Sequence, residues 1–219
     1  MPANHHQRLV TLSEPRSPMA EAFRTLRTNV MLSGLDKPLT TLLVTSPAPE
    51  EGKSTTLANL AVTMAQGGRT TILVDCDLRR PHQHYIFGVP LAPGLSDAIV
   101  NKIDEPALVP TEVEGLSLLP AGELPASPAD LLGSRRMEAL IENLRGRADF
   151  VLFDAPPVIA VTDAALLASR LDGVLLVVSA GQTRREHALQ AKALLQKINV
   201  RIVGTVLTNA AVDRRLQSY

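Results

Sequence analysis

Pro49-Glu50-Glu51-Gly52-Lys53-Ser54-Thr55 lies between a β-branched run, 39–45, and an Ala- and Leu-rich stretch, 53–66, that stops at Gly67-Gly68. The run reads as a strand and the stretch as a helix. Strand, glycine-bearing loop and helix, in that order, are the setting of a phosphate-binding loop. The first N–H groups of a helix lack intrahelical partners, and the helix dipole adds partial positive charge there. Phosphate oxygens are therefore held at that end. Gly52 lets the backbone come close, and Lys53 is placed to reach β- and γ-phosphates. The Ser54 hydroxyl is placed to sit on Mg²⁺. Glu51, Gly52, Lys53, Ser54 and Thr55 form the expected nucleotide-binding stretch. Pro47 stands where the usual pattern has its first glycine.

Two more strand ends point the same way. Ile72-Leu-Val-Asp75-Cys-Asp77 ends a strand read over 70–75 with two carboxylates two residues apart. Phe150-Val-Leu-Phe-Asp154 ends a strand read over 150–153, followed by Ala155-Pro156-Pro157. In a doubly wound sheet, ligands bind outside the carboxyl ends of the strands, so all three elements face one crevice. A strand-end Asp is the usual metal partner of a phosphate loop. Each Asp alone reads equally well as a turn or cap residue; the joint placement points to Mg-nucleotide binding. Cys76, between two carboxylates, is a poor nucleophile and reads as a buried small residue. His82 and His84, one residue apart, are weak metal evidence.

The remaining chain alternates helix and strand. Ser17-Pro18 starts a helix continued over 19–32 and closed by Gly34. Prolines crowd 78–128, with a strand expected over 116–119 and a short helix near 95–100. Helices then read over 134–144, 163–170 and 184–198, and strands over 174–178 and 202–207. Apolar strands alternating with helices predict an α/β fold, a doubly wound, mostly parallel sheet with helices on both faces.

Composition narrows the function classes. The 219 residues carry 22 Lys+Arg against 22 Asp+Glu, so the formal charge is zero and no nucleic-acid partner is expected. One cysteine excludes a disulfide framework or a zinc cluster of several cysteines, and fits a reducing cytoplasm. No apolar run approaches the roughly 20 residues that span a bilayer. Met1 to Arg16 is polar and does not read as a signal peptide. There is no Trp, and only two Tyr and four Phe, so the core must be aliphatic.

The combined motifs resemble the bacterial tyrosine kinases of capsule and exopolysaccharide synthesis, a P-loop NTPase family related to partitioning ATPases. The resemblance runs from about Ser17 to Asn209. Lys53-Ser54-Thr55 is similar to the end of its Walker A motif. Leu73-Val-Asp75-Cys-Asp77-Leu-Arg79-Arg80-Pro81 is similar to its Walker A′, and Phe153-Asp154-Ala-Pro156-Pro157 to its Walker B. Leu119-Pro-Ala-Gly122 with Ser127-Pro128 resembles its linking segment. Glu21, Arg24 and Arg27, spaced three apart, resemble its oligomerisation helix.

The resemblance implies an autophosphorylating, ATP-dependent protein-tyrosine kinase using ATP and Mg²⁺. Ser54, Asp75 and Asp154 would serve the metal. Asp77, Lys53 and Asp75 would be catalytic, with Asp77 accepting the tyrosine proton or orienting the hydroxyl. Asn209 would lie on the adenine side. Partners would be a ring-like homo-oligomer, protein tyrosine substrates, and a separate membrane activator or polysaccharide co-polymerase that holds the chain at the inner face of the cell membrane. The expected organisation is a flexible N-terminal arm, 1–16, a P-loop kinase domain, 17–209, and a short tail, 210–219. Glu50 departs from the family's glycine at that place; its carboxylate should weaken nucleotide binding unless it points outward. The family's tail carries a tyrosine cluster, whereas Tyr219 is the one tail acceptor here. Two other readings share the fold: a partitioning-type ATPase switch, whose signature lysine would stand at Ala48, and a pseudo-kinase that binds ATP without transferring to tyrosine.

Overall fold

The computed structural model describes residues 9–211. Seven strands form one sheet in the order β3-β4-β2-β5-β1-β6-β7. They are β1 (Thr41–Thr45), β2 (Thr71–Asp75), β3 (Val109–Pro110), β4 (Leu116–Leu119), β5 (Phe150–Asp154), β6 (Gly173–Ser179) and β7 (Ile202–Thr208). Every pairing is parallel except β3 with β4. The helices are α1 (Val10–Ser13), α2 (Pro18–Ser33), α3 (Lys53–Gln66), α4 (Gln83–Phe87), α5 (Leu95–Val100), α6 (Pro128–Leu132), α7 (Arg135–Arg145), α8 (Asp163–Ala168) and α9 (Arg185–Lys197).

The central strands are buried on both faces, because successive side chains point to opposite sides. Leu42, Val44, Leu73 and Leu152 enter one aliphatic layer with Leu57 and Leu60 of α3 and Val30 of α2. Leu43, Val74, Val151 and Phe153 enter the other, with Ile141 and Leu144 of α7, Leu167 of α8 and Leu195 of α9. This is the expected doubly wound fold.

Three features differ from the sequence reading. Residues 9–16, expected in a flexible arm, include α1. Leu9 and Thr11 are buried, and the Thr11 N–H and hydroxyl donate to Asn59 Oδ1 at 3.1 and 2.9 Å. Four residues are too few for a helical period to show. The proline-rich middle holds α4 and α6, five residues each, which that composition masks. Finally, β3 adds an antiparallel edge of two residues.

Asp172, before β6, fastens the start of β1. Its Oδ2 accepts from Thr40 N, Thr41 N and Thr41 Oγ1 at 3.0, 2.8 and 2.9 Å, and Oδ1 accepts from Arg145 Nη1 at 2.9 Å. Partial burial pushes this carboxyl up, but the Thr41 and Arg145 donors outweigh it and hold it below its usual range. A lowered folded value contributes stability in full above the unfolded value, about 3.9, and loses it as pH falls through the folded one. Asp172→Asn is expected to lower stability by about 2 kcal/mol at pH 7. Urea unfolding should show the deficit shrinking as pH falls below about 3.9, where the wild-type carboxylate begins to take up its proton.

Candidate active site

Register brings the three strand ends together. Val44 of β1 and Asp75 of β2 both pair with Asp154 of β5, so the phosphate loop and two carboxylates leave adjacent strands. Gly52 caps α3 in the left-handed region, φ 86°, where a side chain would be strained. Lys53 begins α3 and points into the crevice, buried to 9% exposure. Its Nζ lies 2.9 Å from Asp77 Oδ2, 3.1 Å from Asp154 Oδ1 and 3.1 Å from Ser54 Oγ. Burial alone would weaken the lysine charge; the Asp154 and Asp77 carboxylates outweigh it and hold the pKa above the ordinary value.

The loop after β2 is shaped by its own carboxylates. Asp75, fully buried, accepts from Asp77 N on Oδ1 and from His82 N and Gln83 N on Oδ2, at 3.2, 3.0 and 2.9 Å. Burial and neighbouring Asp154 push its pKa up to about 8, against the pull of the Gln83 N–H and Lys53. Asp77 Oδ1 accepts from Arg80 N at 3.0 Å, which leaves Oδ2 for Lys53. Arg79 forks onto buried Asp163 at the start of α8, Nε to Oδ2 at 2.9 Å and Nη2 to Oδ1 at 3.0 Å. Burial, then the charge of Asp75, drives the Cys76 thiol well above its usual value, so its expected inertness holds.

The phosphate loop is braced from the turn after β6 and from β7. Buried Glu51 accepts from Ala48 N and from Thr183 Oγ1, at 3.1 and 2.5 Å, and its carbonyl accepts from Thr208 Oγ1 at 2.8 Å. Its side chain therefore supports the loop rather than facing the crevice. Glu50 is exposed at φ 62°. That dihedral explains the usual glycine, and the residue itself lines the crevice beside Gly52 and Lys53. Glu50→Gly should relieve about 1 kcal/mol of left-handed strain, read as a higher unfolding midpoint. Asn209, also at positive φ, donates to Ser179 Oγ at 2.9 Å beside the crevice.

The crevice opens into a chamber of about 1120 Å³ that reaches from Lys53, Ser54 and Asp77 to Asn209 and to Phe23 of α2. Lys53, Ser54, Asp75, Asp77 and Asp154 are thus brought together, and Asn209 lines the same chamber as Lys53, Ser54 and Asp77. Glu21, Arg24 and Arg27 lie on α2, away from the carboxylates. Glu21 pairs with Arg24 at 2.8 Å, Arg24 also bonds Pro15 O, and Arg27 donates to Thr63 O at 2.9 Å. Tyr219 lies outside the described residues. Sequence reasoning missed Gln83, Thr183 and Asp163; each is a polar residue buried or bonded at the site, with no motif of its own.

The ParA family model, described as NUBPL iron-transfer P-loop NTPase, matches residues 40–212. The tyrosine-protein kinase YwqD of Bacillus subtilis is 36% identical over 207 residues, 94% of this chain and 87% of that protein. The chain belongs to the bacterial tyrosine-kinase family. Among solved structures, the chimerical protein CapA2B2 is 37% identical with a TM-score of 0.86, covering 91% of this chain and 88% of that one. The kinase domain of Escherichia coli tyrosine kinase ETK is 27% identical, also with a TM-score of 0.86, covering 94% and 83%.

Proposed function

We propose that the chain is an ATP-dependent, autophosphorylating protein-tyrosine kinase regulating capsule or exopolysaccharide synthesis or export. The observation that carries this reading is the buried Lys53 held between Asp77 and Asp154, with Asp75 adjacent, at three neighbouring strand ends.

The donor set suits Mg²⁺. Hydroxyl and carboxylate oxygens are hard ligands, and Mg²⁺ takes one or two carboxylates plus substrate phosphates and water rather than an all-protein cage. Among the described residues no group of three or more His, Cys, Asp or Glu forms such a cage. Ser54 and Asp154, with Asp75, would hold the ion, which when bound would neutralise charge on the transferring phosphoryl group. Lys53 would exchange its carboxylate partners for the β- and γ-phosphates. That exchange uncovers Asp77 Oδ2 as the acceptor for the phenol proton while the tyrosine oxygen bonds phosphorus and the β–γ bridge breaks. Asn209 would sit beside the adenine.

Incubation with labelled Mg-ATP tests the reading. Phosphotyrosine that disappears in Tyr219→Phe supports both the activity and the acceptor. ATP hydrolysis without phosphotyrosine, even with a tyrosine-bearing tail or partner supplied, overturns it in favour of an ATPase switch or pseudo-kinase.

Assembly follows from the same family reading: a ring-like homo-oligomer through Glu21, Arg24 and Arg27, working with a separate membrane activator or co-polymerase at the inner face of the membrane. Among the described residues no helix is long and apolar enough to cross a membrane. Arg27 already bonds the end of α3, so Arg24 is the cleaner probe. Arg24→Ala removes a surface pair worth under about 1 kcal/mol to the fold. Its expected effect is a smaller particle by light scattering, and an unchanged mass would remove the role in assembly.

A further inference from the structure

Gln83 is wholly buried where the phosphate loop, the loop after β2 and the end of β5 meet. Its Nε2 donates to Asp154 Oδ2 at 2.7 Å and to Ser54 O at 3.1 Å. Both neighbours are acceptors only, so the amide orientation is decided by chemistry: nitrogen faces them and oxygen faces away. The Gln83 backbone N–H is itself held by Asp75 at 2.9 Å. One residue therefore ties together Asp75, Asp154 and the residue that carries the Ser54 hydroxyl. Yet Gln83 Oε1, with both protons of its own amide already donated, is buried with no hydrogen-bond partner among the described residues. A buried acceptor left unmade is costly, and native structures rarely keep one without a use.

We infer that Gln83 is a positioning residue of the Mg²⁺ shell, holding Asp154 in place through Nε2 and accepting through Oε1 a hydrogen bond from a water held by the ion. Mg²⁺ retains several waters in nucleotide sites, and those waters are strong donors. Asp154 keeps Oδ1 free of Gln83, so the carboxylate edge that now meets Lys53 stays available when the lysine turns to phosphate. Residues that orient a metal ligand without touching the metal commonly change affinity for it by about 10- to 100-fold when lost. The inference rests on the Mg-nucleotide part of the reading above and needs no tyrosine transfer.

The test is calorimetric titration of ADP into wild type, Gln83→Leu and Gln83→Met, in EDTA and across a Mg²⁺ series. In wild type Mg²⁺ should tighten ADP binding; no response there overturns the Mg-nucleotide reading and this inference with it. With that response present, the variants should bind ADP in EDTA within about twofold of wild type while needing about 10- to 100-fold more Mg²⁺ for the same tightening. An unchanged Mg²⁺ requirement, or an equal loss with and without the ion, overturns the inference alone. Should neither variant fold, a wild-type crystal soaked with Mn²⁺-ADP decides the matter. A metal-held water within about 3.2 Å of Oε1 supports it, and its absence overturns it.

Discussion

Asp77→Asn is expected to lower tyrosine phosphorylation by about 10²- to 10⁴-fold while leaving ADP affinity within a few-fold of wild type. Asn has the same shape, so its carbonyl oxygen keeps the bond from Arg80 N that fixes the turn after β2. What disappears is Oδ2 as a proton acceptor. Tyrosine ionises near pH 10, so at neutral pH its proton must go to a positioned base during transfer. The change also removes one of three carboxylates crowded around Lys53, so the fold should not weaken on that account. Single-turnover phosphotyrosine formation with saturating ATP, beside a calorimetric ADP titration, separates the two effects. Equal transfer rates in variant and wild type would sink the assigned role.

Lys53→Met should be the more damaging change, because it strikes both nucleotide binding and the ligand-free fold. Nζ now compensates Asp77 and Asp154 in a buried site. Removing one partner of a buried ion pair costs about 3–5 kcal/mol, since the remaining charge stays out of water. The loss should depend on pH. Asp75 is already pushed up to about 8 by burial and Asp154, with Lys53 among the groups pulling it down. Without the lysine it rises further, so the folded chain binds protons that the unfolded chain releases above about pH 4. Stability then falls as pH rises through that window. Because Asp75 in the wild type also stays protonated up to about pH 8, urea unfolding at about pH 7 and about pH 9.5 should show the larger deficit at the higher pH. A deficit independent of pH would mean that the carboxylates are not what Lys53 compensates. ADP binding in the presence of Mg²⁺, tested at the pH where the variant is folded, should be lost by at least about 10²-fold.

Much of this site was legible because its parts sit at strand ends. Asp75 and Asp154 each close an apolar run, Asp77 follows one by two residues and Lys53 opens the helix after another, and parallel strands carry such ends to one edge of the sheet. Gln83 was not legible. It lies in a proline-rich stretch, its helix is five residues long, and its two acceptors are 29 and 71 positions away. Thr183 escaped for the same reason: its bond to Glu51 spans 132 positions. Glu51 read as a member of the phosphate cradle, and only the buried contact to Thr183 revealed it as a brace. Arg27 read as one of three charged residues on one face of a helix, with Glu21 and Arg24. Its bond to Thr63 O, 36 positions on, distinguishes it from Arg24.

The sequence by itself determined the strand–loop–helix start at 39–66, the doubly wound sheet and the identity of the charged groups at the crevice. These follow from local periodicity and from which residues end each apolar run. Only the tertiary structure decided how the charges are paired, that the Glu51 carboxylate turns to Ala48 and Thr183, and that residues 9–13 pack onto α3 through Thr11 and Asn59. Those outcomes depend on contacts between segments far apart in the chain, where burial sets the cost of leaving a polar group unpaired.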